Sequence, residues 1–166
     1  MLSFIQEYIL SDSIWHITTW ELIIRLTLAT ILGGLIGMER EWNNHPAGFR
    51  THIMVCLGSA TLMLLSIYGF SAFVYEYNVR IDPARLAAQV VSGIGFLGAG
   101  AILRNGNIVK GLTTASSIWV VAAIGLCVGA GFYTGSFFAT FLALISLHFF
   151  NKWEKRWLNN RSFHEI

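Results

Sequence analysis

Residues 20–38 read WELIIRLTLATILGGLIGM, nineteen positions of which only Glu21 and Arg25 carry charge. As a helix rising about 1.5 Å per residue this run covers about 28 Å, close to the ~30 Å hydrocarbon core of a bilayer. Glu21 and Arg25 stand one helical turn apart near its start and read as an interfacial salt bridge. Four more apolar runs follow: Thr51 to Phe70, Leu86 to Leu103, Gly111 to Gly131, and Phe132 to Phe150. The pattern predicts an all-α polytopic membrane protein of about five transmembrane helices with Gly-rich packing. Residues 1–19 form an N-terminal interfacial segment, 20–150 the transmembrane domain and 151–166 a basic tail.

Composition agrees with that reading. Of 166 residues, 55% are hydrophobic and 12% charged, and mean hydropathy is +0.60. A soluble domain carries about 25% charge, so a water-soluble globule is excluded. The formal charge of +2 is too small for a nucleic-acid footprint. Cys56 and Cys127 both sit inside apolar runs and read as small buried residues, not as a disulfide framework. The first twenty residues hold no Lys or Arg, so the positive n-region of a signal peptide is missing.

Cation placement sets an expected orientation. Arg40, Arg50, Arg104, Lys110, Lys152, Lys155, Arg156 and Arg161 fall on one side of the five spans, and only Arg25, Arg80 and Arg85 on the other. The positive-inside rule puts the C-terminus in the cytoplasm and the N-terminus in the periplasm of a bacterial inner membrane. Trp153 and Trp157 fit an interfacial tail helix held to anionic lipid.

Gly93-Ile-Gly95-Phe-Leu-Gly98 is a literal G-x-G-x-x-G, but its context refuses a dinucleotide. That fingerprint needs a preceding strand and an acidic residue about twenty positions on. No Asp or Glu lies between Asp82 and Glu154. Two other readings of Gly93, Gly95, Gly98 and Gly100 stay open. In one, Ser92, Gly95, Gly98, Ala99 and Ala101 make a smooth face for close helix packing, as Gly33 and Gly37 would in the first span. In the other, the four glycines weaken the helix and free backbone carbonyls to coordinate a cation.

Polar residues gather at the span ends. Glu39, Arg40 and Glu41 close the first span, and Arg50 and Thr51 open the second after a connector containing Pro46 and Gly48. Carboxylates are hard oxygen ligands suited to Mg²⁺, which takes one or two and keeps several waters, so Glu39 and Glu41 are candidate cation ligands. Pairing of Glu39 or Glu41 with Arg50 is the plain alternative. On the opposite side, Asp82 is a third candidate ligand or a cap of the third span. Arg85 and Gln89 are one turn apart and can look into the bundle from one face. Arg104 and Lys110 flank the turn-forming Arg104-Asn105-Gly106-Asn107, next to the amide-rich start of the fourth span. Gly111, Thr113 and Thr114 lie there, the two threonines as N-cap candidates, and an anion or lipid headgroup is a competing ligand. The five histidines have no zinc-site spacing, and no serine, histidine and acid arrangement supports hydrolysis.

GLIGMERE at 34–41, PAGFRTH at 46–52, QVVSGIGFLGAGAIL at 89–103 and GLTTASSIW at 111–119 occur in that order. With these four blocks the chain resembles the membrane domain of the bacterial MgtC/SapB family. The resemblance implies an inner-membrane protein connected with growth at low Mg²⁺ and, in some pathogens, with survival inside macrophages and restraint of the ATP synthase. It implies no enzymatic activity. Longer members carry a cytoplasmic ACT-type domain after the last span, where this sequence has residues 151–166, as in a short member or a truncated chain.

The leading expectation is a protein of magnesium homeostasis with Glu39, Glu41 and Asp82 facing a cation and Arg50 and Arg85 balancing them. Mg²⁺ is the one cofactor or cargo considered. The rival is a regulator that binds a membrane partner, such as the ATP synthase or a magnesium pump, through the Gly33 and Gly37 face. A third is an anion or lipid-headgroup carrier using Arg50, Arg104 and Lys110. Membrane lipid is an expected partner, and small-residue faces in spans one, three and four point to a homodimer.

Overall fold

A computed structural model describes residues 16–70 and 82–161. Its order is α1 (Thr19–Trp42), α2 (Phe49–Tyr68), α3 (Ala84–Ala101), β1 (Leu103–Asn105), β2 (Ile108–Lys110), α4 (Leu112–Gly129) and α5 (Tyr133–Arg161). The all-α class stands. Helices α1 to α4 are each long and apolar enough to cross a membrane, whereas the apolar part of α5 is the shorter Tyr133–Phe149. Among the described residues there are five helices, of which four meet the length of a full span. The helix of α5 runs on without a break to Arg161.

Each boundary has a local cause. Thr18 caps α1 by accepting from the Glu21 amide at 3.3 Å. Asn44, with φ of 55°, turns the chain out of α1. Asp82 Oδ1 accepts from the Ala84 amide at 3.0 Å at the start of α3, the capping role that was the plain alternative for this residue. The Arg104–Asn107 turn is the tip of an antiparallel hairpin that pairs Leu103 with Lys110 and Asn105 with Ile108.

One capping expectation is overturned. Thr113 and Thr114 lie inside α4, whose cap is Gly111 at φ of 92°. Only a residue without a side chain fits there, because the backbone is left-handed and a Cβ would collide with the Ala101 carbonyl.

Helix α2 lies between α1 and α4, and the main core joins Ala29, Leu32 and Ile36 of α1 to Cys56 and Ala60 of α2 and Val121, Ile124 and Val128 of α4. Glycines make this approach possible. A Cβ at Gly33 would stand 2.7 Å from Cys56 Cβ, and one at Gly37 would stand 2.8 Å from Phe49 Cα. From the other side, a Cβ at Gly129 would lie 2.6 Å from the Ala60 carbonyl oxygen. The Gly33 and Gly37 face therefore does not offer itself to another protein; it is filled by α2 of the same chain.

Helix α3 behaves differently. It is by far the least buried of the four long helices, and packs through Val90, Ile94 and Gly98. Gly93, Gly95 and Gly100 have nothing within 4 Å of an added Cβ. The segment is helical throughout, so its glycines do not interrupt the backbone ladder.

Candidate functional site

The close approach of α1 and α2 buries a charged cluster at the end of the bundle formed by the C-terminus of α1 and the N-termini of α2 and α4. Arg40 is 1% exposed and Glu39 9%. Arg40 Nε lies 3.4 Å from Glu39 Oε2, and neither of these two buried atoms makes a hydrogen bond. The other Glu39 oxygen accepts from Asn43 Nδ2 at 2.8 Å. Glu41 Oε2 accepts from the Phe49 amide at 2.7 Å and so caps the start of α2.

His52, wholly buried at 0% exposure, joins α2 to α4. Its Nδ1 is 2.9 Å from the Gly48 carbonyl oxygen and its Nε2 is 3.0 Å from Ser117 Oγ. Ser117 Oγ is in turn 2.9 Å from the Thr114 carbonyl oxygen. Behind this network a cavity of about 300 Å³ opens between α1, α4 and α5, with Thr113, Ser116, Ser117 and Ser146 among its lining residues. A buried ion pair and a buried histidine are costly inside a membrane protein and mark functional ground.

The expected site residues divide between the two ends. Glu39, Arg40 and Glu41 meet here, with Gly111, Thr113 and Thr114 at the neighbouring start of α4. Arg50 and Thr51 also open α2 at this end but are exposed. Asp82 and Arg85 start α3 at the far end, where Ser66 Oγ donates to the Pro83 carbonyl at 2.7 Å. Among the described residues the ion pairs are Arg25–Glu21 and Arg40–Glu39. Arg50 and Arg85 thus do not balance Glu39, Glu41 or Asp82 as expected. Gln89 is exposed and lines a groove of about 480 Å³ between α2 and α3 together with Gly93. No three of His, Cys, Asp and Glu come together as a metal-holding group among the described residues.

Arg25 makes a second buried site at the far end. It pairs with Glu21, donates through Nε to Tyr133 Oη at 3.0 Å and through Nη1 to the Gly129 carbonyl at 2.7 Å, and lies 5.5 Å from the Tyr68 ring centre. The expected Glu21–Arg25 pair is present. What the sequence reading missed is that Arg25 ties α1 to α4 and α5.

His52 and Ser117 were also missed. A usable signal existed: His52, Cys56 and Ala60 follow at steps of four, the spacing of one helix face.

The ordered blocks found in the sequence now have positions: GLIGMERE and PAGFRTH frame the buried cluster, and GLTTASSIW carries Ser117. Residues 26–156 match the MgtC family. This chain belongs to the MgtC family. Among its relatives are YhiD of Escherichia coli K12, 49% identical over 147 residues, covering 88% of this chain and 67% of the relative. SapB of Bacillus subtilis is 43% identical over 136 residues, 81% of this chain and 58% of SapB. MgtC of Salmonella typhimurium LT2 is 43% identical over 122 residues, 74% of this chain and 49% of MgtC. This MgtC-family chain spans about half to two thirds of the length of these relatives. No solved structure matches it.

Proposed function

We propose that this chain is a multi-pass protein of the bacterial inner membrane that serves magnesium homeostasis by binding another membrane protein along α3. The observation that carries this reading is the contrast between α3 and its neighbours. The glycine faces of α1 and α4 are filled by α2, while Gly93, Gly95 and Gly100 stay open on the least buried helix. Gly93 and Gly100 share one side of α3 with the exposed Phe96 and Leu97, and Gly95 lies on the other side. At each of these glycines a partner helix can approach the backbone closely, which is how association proceeds where lipid offers no hydrophobic driving force. The magnesium connection rests on family membership and on the E. coli relative, whose name is "Putative magnesium transporter YhiD". A magnesium pump or the ATP synthase is the class of partner proposed, with the cytoplasm on the side of the C-terminus.

Conduction of Mg²⁺ by this chain is the second reading, favoured by that relative's name and by Glu39 Oε2, a buried carboxylate oxygen without a hydrogen bond. Against it, the residues around that oxygen fit Mg²⁺ poorly. The Arg40 guanidinium lies beside Glu39, Glu41 is engaged in capping α2, and Asp82 stands at the other end of the bundle.

Two measurements separate the readings. Purified chain in liposomes is assayed for Mg²⁺ flux, and membranes are crosslinked with a photoreactive residue at position 95 and probed for a magnesium pump and for ATP synthase subunits. Crosslinking to either without flux supports the regulator. Saturable Mg²⁺ flux by the unsubstituted chain, without crosslinking, overturns it in favour of transport.

A further inference from the structure

We propose that His52 is a buried proton-binding site whose occupancy is passed by the Ser117 hydroxyl to the cavity between α1, α4 and α5. The argument is a hydrogen-bond count. The Gly48 carbonyl has no proton to give, so the contact at 2.9 Å requires a proton on Nδ1. The other ring nitrogen faces Ser117 Oγ at 3.0 Å, and that oxygen also stands 2.9 Å from the Thr114 carbonyl. Ser117 has one proton for two acceptors.

Two states therefore satisfy the ring. In the neutral state Nδ1–H donates to Gly48, and the Ser117 hydroxyl donates to Nε2. In the charged state a proton taken from solution sits on Nε2, which donates to Ser117 Oγ, and the hydroxyl proton turns to the Thr114 carbonyl. One proton is gained, one hydroxyl rotates and no heavy atom has to move. Because Ser117 lines the cavity beside Thr113, Ser116 and Ser146, the hydrogen-bonding face presented there changes with the proton.

Burial opposes the imidazolium most and the Gly48 carbonyl favours it; the charges that face the ring come from α1, where the Arg40 guanidinium repels an imidazolium and the Glu39 carboxylate attracts it. Helix α4 contributes the Ser117 hydroxyl and the Thr114 carbonyl at this level, and Asp82 and Arg85 of α3 lie at the far end. Glu39 and Arg40 sit next to each other on one buried turn, so the ring feels opposing charges of a fixed pair. A histidine is the side chain whose proton exchanges in the physiological range, and it has no packing advantage over leucine at a fully buried position of a membrane helix. This inference does not depend on what α3 binds.

The test uses the full chain in phosphatidylethanolamine and phosphatidylglycerol nanodiscs, labelled with ¹⁵N-histidine and ¹³C-carbonyl glycine. Solid-state NMR identifies His52 as the ring whose Nδ1 is dipole-coupled to the Gly48 carbonyl, and the sample is titrated from about pH 8 to about pH 5. Nδ1 is expected to stay protonated throughout, while Nε2 passes from unprotonated to protonated. Ser117→Ala should displace the midpoint by about half to one pH unit, the worth of one hydrogen bond. An Nε2 whose state never changes, or an Nδ1 without a proton, overturns the site. A midpoint that Ser117→Ala leaves in place overturns the link to the cavity.

Discussion

Gly33 of α1 and Cys56 of α2 meet so closely that a Cβ on the glycine would lie 2.7 Å from the cysteine Cβ. The glycine is a condition of the α1–α2 interface, and the same interface buries Arg40 and His52. Substituting Gly33 by Ala should cost about 1–3 kcal/mol through overpacking, and by Leu more. Thermal unfolding in detergent checks this. Gly95→Ala, with nothing within 4 Å of an added Cβ, serves as the matched comparison and should not lower the melting temperature.

Removing one member of the Glu39–Arg40 pair leaves a buried charge alone. Glu39→Gln is expected to destabilise the bundle by about 3–5 kcal/mol, and the double variant Glu39→Gln, Arg40→Leu to recover part of that loss. A double-mutant cycle on thermal stability reads the coupling, and strict additivity of the two changes would deny the pairing.

At the other end, Tyr133→Phe deletes the acceptor of Arg25 Nε while retaining the ring near its guanidinium. A loss of about 1.5–3 kcal/mol is expected for a hydrogen bond to a charged group. Arg25→Leu removes the ties to Glu21, Tyr133 and the Gly129 carbonyl together and should destabilise the α1–α4 contact more than Tyr133→Phe does. Hydrogen exchange at the amides of α1 and α4 reports whether the loosening is local.

Gly111→Ala combines a left-handed backbone with a collision against the Ala101 carbonyl. Strain at a positive φ alone costs about 1 kcal/mol or more, and the collision must displace the end of α3. Limited proteolysis across residues 102–111 should accelerate in this variant, and Thr113→Ala should not reproduce it, because the threonine is not the cap.

A bulky side chain at the open Gly95 position of α3 separates folding from partnership. Gly95→Leu should keep the melting temperature and the fold yet abolish recovery of the membrane partner by crosslinking. Undiminished recovery would remove α3 as the contact.

Much of the fold was legible because lipid leaves a chain few choices. An apolar run of nineteen residues in a bilayer must satisfy its backbone internally, and that alone makes it a helix. Pro46, Pro83 and the Asn-Gly turn at 105–106 then mark the connections, and the four ordered blocks carry the family. The site was legible only in part. Glu39, Arg40 and Glu41 were singled out, but with Arg50 as their counterion, since sequence proximity cannot tell a buried i, i+1 pair from an exposed one across a connector.

What the sequence by itself determined was the order of the described helices, their apolar character and the family to which they belong. Tertiary structure decided which faces meet. A membrane helix is apolar nearly all round, so periodicity does not distinguish the side turned to protein from the side turned to lipid. The glycines of α1, α3 and α4 look alike in sequence, yet those of α1 and α4 are closed by α2 while Gly93, Gly95 and Gly100 of α3 are open. The same docking puts His52 beside Ser117, 65 positions away, and buries Arg40. Those relationships come from close approach between helices, and nothing local to either residue encodes them.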